Sequence, residues 1–280
     1  MAHGNVAVRV VSDGSFLLDG GPVFGPVPKI LWERQAKPDR KNRVRLGLNS
    51  LLVMTPDANI LVDVGIGSKE PEVSREIYGH SSSKLLRNLR NHGVTVRDID
   101  FVVLTHLHFD HSGGATRMDR EGNIVPTFPK ARYLIQRSSW EEAFSPNERQ
   151  VPVYGHGADH LRVLHDRNLV DLIDGDVEVA PGVKVVKIDG YSDGHSIVMV
   201  NTGSERIVYL SDLIPTPNHL PLSYITAFDR YPDQTLQVKK EMLERAEREG
   251  WLMVFAHGYQ ERAGYLLRKR SGVELRPVEI

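Results

Sequence analysis

Four side chains able to bind a metal stand within six residues, in the segment His106-Leu107-His108-Phe109-Asp110-His111. Histidine accounts for 12 of 280 residues, so three of them beside a carboxylate in so short a span point to metal-ligand chemistry. The chain has no cysteine, which removes disulfides, thiolate ligands and cysteine nucleophiles and leaves nitrogen and oxygen as the donors. The apolar run Phe101-Val102-Val103-Leu104 precedes the cluster, and Ser112-Gly113-Gly114 follows it. If the run is a buried strand, His106 and His108, two apart, project to the same side, and Asp110 and His111 fall where the chain turns.

The elements that must position this cluster alternate along the chain. Short strands are expected at 6–11 and 16–18 around a Ser12-Asp13-Gly14 turn, and a hairpin at 46–54 and 59–64 around Thr55-Pro56-Asp57-Ala58. Residues 19–28 form a loop rich in glycine and proline whose Val23 and Phe24 suit it to lie over a pocket. A helix is expected at 83–92, with Leu85, Leu86 and Leu89 on one side, leading into the strand before the cluster as a βαβ-like unit. A strand at 131–135, a short helix at 138–144 and an irregular stretch at 145–157 come next, then β runs and turn residues across 169–210 that read as sheet. The clearest helix lies within 229–250, entered at Pro232-Asp233 and closed by Gly250, before a strand at 251–256 and a final hairpin. His156, His160 and His165 have no fixed acidic partner and read as surface or internally satisfied histidines. No repeat or linker divides the chain, so residues 1–280 are expected to form one domain.

Further ligand-type residues close predicted strands or stand in the turns beside them. His195 lies in Tyr191-Ser192-Asp193-Gly194-His195, Asp212 follows Ile207-Val208-Tyr209-Leu210-Ser211, and His257 follows 251–256. Asp63 closes a strand before Gly65 and suits either a turn or the holding of a ligand histidine.

Taken in order, His106-x-His108-x-Asp110-His111, His195, Asp212 and His257 resemble the ligand series of the metallo-β-lactamase superfamily of metallohydrolases. The resemblance extends over almost the whole chain, including Asp63-Val64-Gly65 and Asp212-Leu213-Ile214-Pro215. It implies an α+β fold, a four-layer αββα sandwich with metals at one edge. It further implies that His106, His108 and His195 bind one divalent ion and Asp110, His111 and His257 a second. Asp212 would bridge them, Asp63 would support the ligands, and Asp110 would orient a bridging hydroxide and carry a proton. Zinc is the first expectation for both ions, with manganese, iron or cobalt as alternatives.

Two departures from the family pattern stand out. Many relatives read G-H-T-x-G-H around the fifth ligand, where this chain has Gly194-His195-Ser196-Ile197-Val198-Met199 and lacks the second histidine. Some lactonase-like members place a tyrosine three residues after the bridging aspartate, where this chain has Pro215; Tyr224, in the following loop, is a candidate to substitute, and the sequence does not decide between it and another residue. The 23 residues after His257 leave no room for the C-terminal helical part of glyoxalase II, and no arm or basic surface suits an RNase Z-like enzyme. His108 stands where flavodiiron-type enzymes carry glutamate, and Asp212 departs from the antibiotic-hydrolysing members.

The expected activity is opening of a small-molecule lactone or ester. Phe24, Phe109, His219 and Tyr224 are candidates for the pocket wall. Alternatives are a phosphotriester or phosphodiester hydrolase with the same centre, a one-iron oxidoreductase resembling persulfide dioxygenases, and a non-catalytic metal-binding protein. Lys plus Arg is 35 against 36 for Asp plus Glu, so no basic field favours nucleic acid. No apolar run approaches the roughly 20 residues that cross a bilayer. Met1-Ala2-His3-Gly4-Asn5 lacks the marks of a signal peptide, so a cytoplasmic protein acting on a small molecule is expected, with homodimerisation compatible.

Overall fold

The computed structural model describes residues 6–69, 72–80, 82–154, 157–269 and 272–280; His156 and the first five residues lie outside them. Among the described residues the chain runs β1 (Ala7–Asp19), α1 (Gly20–Phe24), α2 (Lys29–Trp32), β2 (Arg43–Met54), β3 (Asn59–Val62), α3 (Glu72–Tyr78), α4 (Leu85–Asn91) and β4 (Phe101–Leu104). Then come α5 (Phe109–Ser112), β5 (Thr116–Met118), β6 (Ile124–Pro126), β7 (Arg132–Gln136), α6 (Arg137–Phe144), α7 (Val151–Tyr154) and α8 (Gly157–Asp166). The second half comprises β8 (Val170–Ile173), β9 (Val177–Ala180), β10 (Val183–Lys187), β11 (Ser196–Asn201), β12 (Arg206–Tyr209), α9 (Pro232–Glu249), β13 (Leu252–Val254), β14 (Ala263–Lys269) and β15 (Gly272–Pro277).

Among the described residues these strands form a six-stranded sheet in the order β1-β2-β3-β4-β7-β8 and a seven-stranded sheet in the order β15-β14-β13-β12-β11-β10-β9. The sheets face one another across an apolar core in which Val53, Val62 and Val103 of the first meet Val185, Val198 and Val254 of the second. The outer face of the first sheet is covered by α4, α6 and α8 through Leu85, Leu89, Ala143, Leu161 and Leu164. That of the second is covered by α9 through Met242, Leu243 and Ala246. The four layers are therefore helix, sheet, sheet, helix, as expected for an αββα sandwich. Among the described residues no helix is long and apolar enough to cross a membrane.

Three local expectations are corrected. Residues 7–19 form one strand with a bulge between Ser12 and Gly14 instead of two strands around a turn. The bulge lets the buried Asp13 carboxylate accept hydrogen bonds from Ser83 Oγ and the backbone of Lys84, Leu85 and Gly67, which anchors the start of α4. The stretch 145–157 is not all irregular, since it holds the short helix α7 at Val151–Tyr154, and beyond it α8, which no expectation covered, buries Ala158, Leu161 and Leu164 at helical spacing. Residues 169–210 divide between the sheets, because β8 returns after α8 to pair in parallel with β7 while β9 onward builds the second sheet.

Lys239, on α9, is fully buried and donates from Nζ to the carbonyls of Pro221 and Tyr224, both at 2.8 Å. It thereby fixes the loop between β12 and α9 to the helix that follows it.

The turn after α5 passes so close to the end of β3 that a side chain does not fit: a Cβ on Gly114 would lie 2.1 Å from the Val64 carbonyl oxygen. Gly114→Ala is expected to cost about 1–3 kcal/mol by overpacking. This would be read as a lower midpoint in urea denaturation with unchanged slope; an unchanged midpoint would show that the turn yields freely.

Candidate metal centre

Strand direction gathers the candidate ligands at one rim. β3, β4 and β7 run parallel, so the chain leaves β3 at Asp63 and β4 just before His106 on the same edge of the first sheet. In the second sheet β12 and β13 also run parallel, and Asp212 and His257 follow their ends. His195 enters from the turn before β11, whose Ser196 N–H donates to the Thr105 carbonyl at 2.9 Å and so joins the sheets at this rim.

His106, His108, Asp110, His111, His195, Asp212 and His257 are all buried. Asp110, His111 and His257 bring one donor atom each within 4.8 Å of one another, as do His106, His111 and Asp212. Asp212 Oδ1 lies 3.1 Å from His257 Nε2 and 3.3 Å from His111 Nε2, and its Oδ2 lies 3.6 Å from His106 Nε2. Asp110 Oδ2 is 3.5 Å from His257 Nε2. The rings of His108 and His195 stand 4.5 and 5.2 Å from that of His106, outside the two tight groups. His108 turns Nδ1 toward the Tyr191 hydroxyl at 3.2 Å, and His195 Nε2 lies 3.4 Å from the Asp212 amide.

Neighbours fix which nitrogens face inward. His257 Nδ1 donates to the Gly47 carbonyl and His111 Nδ1 to Asp63 Oδ2, both at 2.8 Å, which turns both Nε2 atoms to the centre, 3.0 Å apart. Asp63 holds more than His111. It also accepts from the Thr105 amide at 2.9 Å, the Thr105 hydroxyl at 2.8 Å and the Tyr209 hydroxyl at 3.1 Å, from a backbone with φ of 55°.

The centre needs positive charge. Burial pushes the imidazoles of His106, His108 and His195 down, His108 to about 3 and His195 to about 4, so they are neutral donors. Burial also disfavours charge on His111 and His257, but the carboxylates around them outweigh it, Asp212 foremost, and hold both above the usual histidine range. His106 Nε2 and His195 Nδ1 are buried without a hydrogen-bond partner, although buried polar atoms are ordinarily paired. Unpaired nitrogen donors converging with two carboxylates, Asp110 and Asp212, fit divalent metal ions.

The centre forms the floor of a cavity of about 350 Å³ that exposes Asp110, Asp212, His257 and Tyr191. Leu17, Leu18, Val23, Ile77, Phe109 and Phe228 contribute apolar wall. Of the residues expected in that wall, Phe109 and His219 line it. His219 has no free ring nitrogen, since Nε2 donates to the Val23 carbonyl at 2.9 Å and Nδ1 pairs with Thr216 Oγ1 at 2.7 Å. Phe24 is packed between Trp32 and His219, with both ring centroids 5.0 Å away, and borders a separate, more polar cavity. Tyr224 packs edge-on against Phe24 and does not reach the floor. The phenol at the floor is Tyr191, buried against the rings of His106, His108 and His195 on the side away from the cavity. Burial, with Asp212 and Asp110 beside it, raises its hydroxyl well above the usual tyrosine range. The sequence offered one clue, its place four residues before His195.

A family model described as the metallo-beta-lactamase superfamily matches residues 43–257. The chain belongs to the metallo-β-lactamase superfamily. As a member of this superfamily it is a metal-dependent hydrolase. An N-acyl homoserine lactonase from a Bacillus species is 25% identical over 236 residues, spanning 76% of this chain and 82% of the relative. The crystal structure of a probable metal-dependent hydrolase from Staphylococcus aureus has a TM-score of 0.87 and 28% identity, covering 100% of both chains. AidC, a dizinc quorum-quenching lactonase solved with a product, shares the superfamily's fold with this chain at a TM-score of 0.79 and 20% identity, over 100% of this chain and 97% of the other.

Asp63→Asn replaces one of two acceptor oxygens by an N–H₂ group that faces donors. The expected cost is about 2–3 kcal/mol from lost charge-assisted bonds, measured by chemical denaturation of the metal-free protein; a wild-type midpoint would show that Asp63 is not holding the rim.

Proposed function

We propose that this chain is a dinuclear metal-dependent hydrolase that opens lactones or esters carrying an apolar substituent, with both sheets acting as one catalytic unit. The observation that carries the reading is the convergence of His106, His108, Asp110, His111, His195, Asp212 and His257 at the floor of a largely apolar cavity. In this reading His106, His108 and His195 hold one cation, Asp110, His111 and His257 the other, and Asp212 both, with Asp63 holding His111 in place. When bound, a pair of divalent cations, zinc first, supplies hydroxide near neutral pH and polarises the scissile carbonyl.

The chain's own residues do the rest. Asp110 faces the cavity beside His257 and carries the proton released on attack to the alkoxide oxygen that leaves, so that ester and water become acid and alcohol. Tyr191, rather than the sequence candidate Tyr224, donates its hydroxyl hydrogen to the oxygen on which negative charge develops. The apolar wall seats the substituent and keeps bulk water from the reacting atoms. The likeness to N-acyl homoserine lactonases favours a lactone over a phosphotriester and makes N-acyl homoserine lactones the first substrates to try.

Protein reconstituted with zinc should bind two ions per chain and show its highest kcat/KM on lactones, above aryl esters and phosphotriesters. One iron per chain, or two metals without turnover on any of the three classes, would sink the proposal. His108→Ala and Asp212→Ala should abolish hydrolysis and lower metal stoichiometry. Tyr191→Phe should lower kcat about 100-fold with metal content intact, whereas Tyr224→Phe should leave kcat unchanged; the opposite pattern would return the role to Tyr224.

A further inference from the structure

Behind the centre, away from the cavity, lies a buried carboxylate that the proposed chemistry does not use. Glu142, on α6, has a side chain only 3% exposed. Its Oε2 accepts from the Asp193 amide at 2.9 Å, and its Oε1 accepts from Arg230 Nη1 at 2.6 Å and from Gln150 Nε2. Tyr154 stands beside it, its hydroxyl raised above the usual tyrosine range by burial and then by the Glu142 charge. Four segments thus meet on one side chain: α6, the stretch 150–154, the turn 190–195 and the loop before α9.

Three of these neighbours, Asp193, Arg230 and Tyr154, lead back to the centre. Asp193 lies in the turn that carries Tyr191 and His195. Arg230 grips the same turn twice more, through Nη1 to Asp193 Oδ2 at 2.7 Å and through its amide to the Tyr191 carbonyl at 2.9 Å. Tyr154 sets its ring edge-on against His108, 5.2 Å between centroids. The turn has no slack on its other side: Gly194 has φ of 71°, and a Cβ there would lie 2.7 Å from the Ser139 amide at the start of α6.

A carboxylate this deeply buried costs free energy unless all its bonds are met, and here they are met by groups that hold His195, Tyr191 and His108. We propose that Glu142 is a positioning residue for one half of the centre, the set His106, His108 and His195, and that it leaves the set Asp110, His111 and His257 unaffected. The inference rests on the two-cation reading above. It separates two kinds of support: Asp63 and Gly47 hold His111 and His257, while Glu142 acts at a distance on the other set.

The test is zinc affinity, measured by chelator competition on the full chain with Glu142→Gln and Glu142→Ala, each placed also in His257→Ala and His195→Ala backgrounds. In His257→Ala, where the first set is intact, Glu142→Gln should weaken zinc about 10- to 100-fold, the usual range for a residue supporting a ligand, and Glu142→Ala should weaken it further. In His195→Ala, where that set is already broken, neither should change the affinity. Equal losses in both backgrounds would mean general loosening of the fold and, like no loss in either, would overturn the inference. Wild-type protein that takes up fewer than two zinc ions would instead overturn the reading beneath it. Arg230→Gln, which releases the same turn from a partly exposed position, should reproduce the pattern if the Glu142 variants do not fold.

Discussion

Asp63 is where the two sheets and the centre are fastened together. Its carboxylate accepts from Thr105 after β4, from His111 in the cluster and from Tyr209 at the end of β12, so one buried anion joins neighbouring strands of the first sheet to a strand of the second. The same Tyr209 hydroxyl lies 2.8 Å from the Asn49 carbonyl on β2, so its one hydrogen is shared between the two acceptors and the tie continues across the first sheet. The left-handed backbone at Asp63 turns the chain out of β3 so that the Val64 amide can bond the His111 carbonyl at 2.8 Å. Such a conformation is costly for a residue with a side chain and persists where its surroundings over-determine it.

Much of this was legible in the sequence, for identifiable reasons. The segment 106–111 stands out because its donors are local, and local density survives without knowledge of the fold. His195, Asp212 and His257 are legible because each lies beside a strand end, and the family series supplies the pairing that spacing alone does not. Asp63 had two open readings, and its hydrogen bonds unite them: it both turns the chain and holds a histidine.

What was not legible depends on long-range packing. Tyr224 was the tyrosine that the sequence offered, but the turn before β11 folds Tyr191 onto His108, whereas the loop carrying Tyr224 is drawn toward Phe24 and Lys239. Glu142 reads as an ordinary charged position on a short helix, because its partners come from residues 8 to 88 positions away. The bulge at Ser12 and Gly14 was mistaken for a turn since nothing local shows that Asp13 points inward to the start of α4.

The buried lysine of α9 bears on how such an enzyme can change. By holding the carbonyls of Pro221 and Tyr224, Lys239 fixes the backbone of a loop whose Thr226 and Phe228 side chains face the cavity. The main chain is anchored from behind by a residue that takes no part in the wall. The Phe228 side chain can therefore be exchanged without releasing that main chain, whereas Thr226 is tied by its hydroxyl to Asp229 Oδ2 at 2.6 Å, so position 228 is where the cavity can change shape while the ligand rim stays fixed.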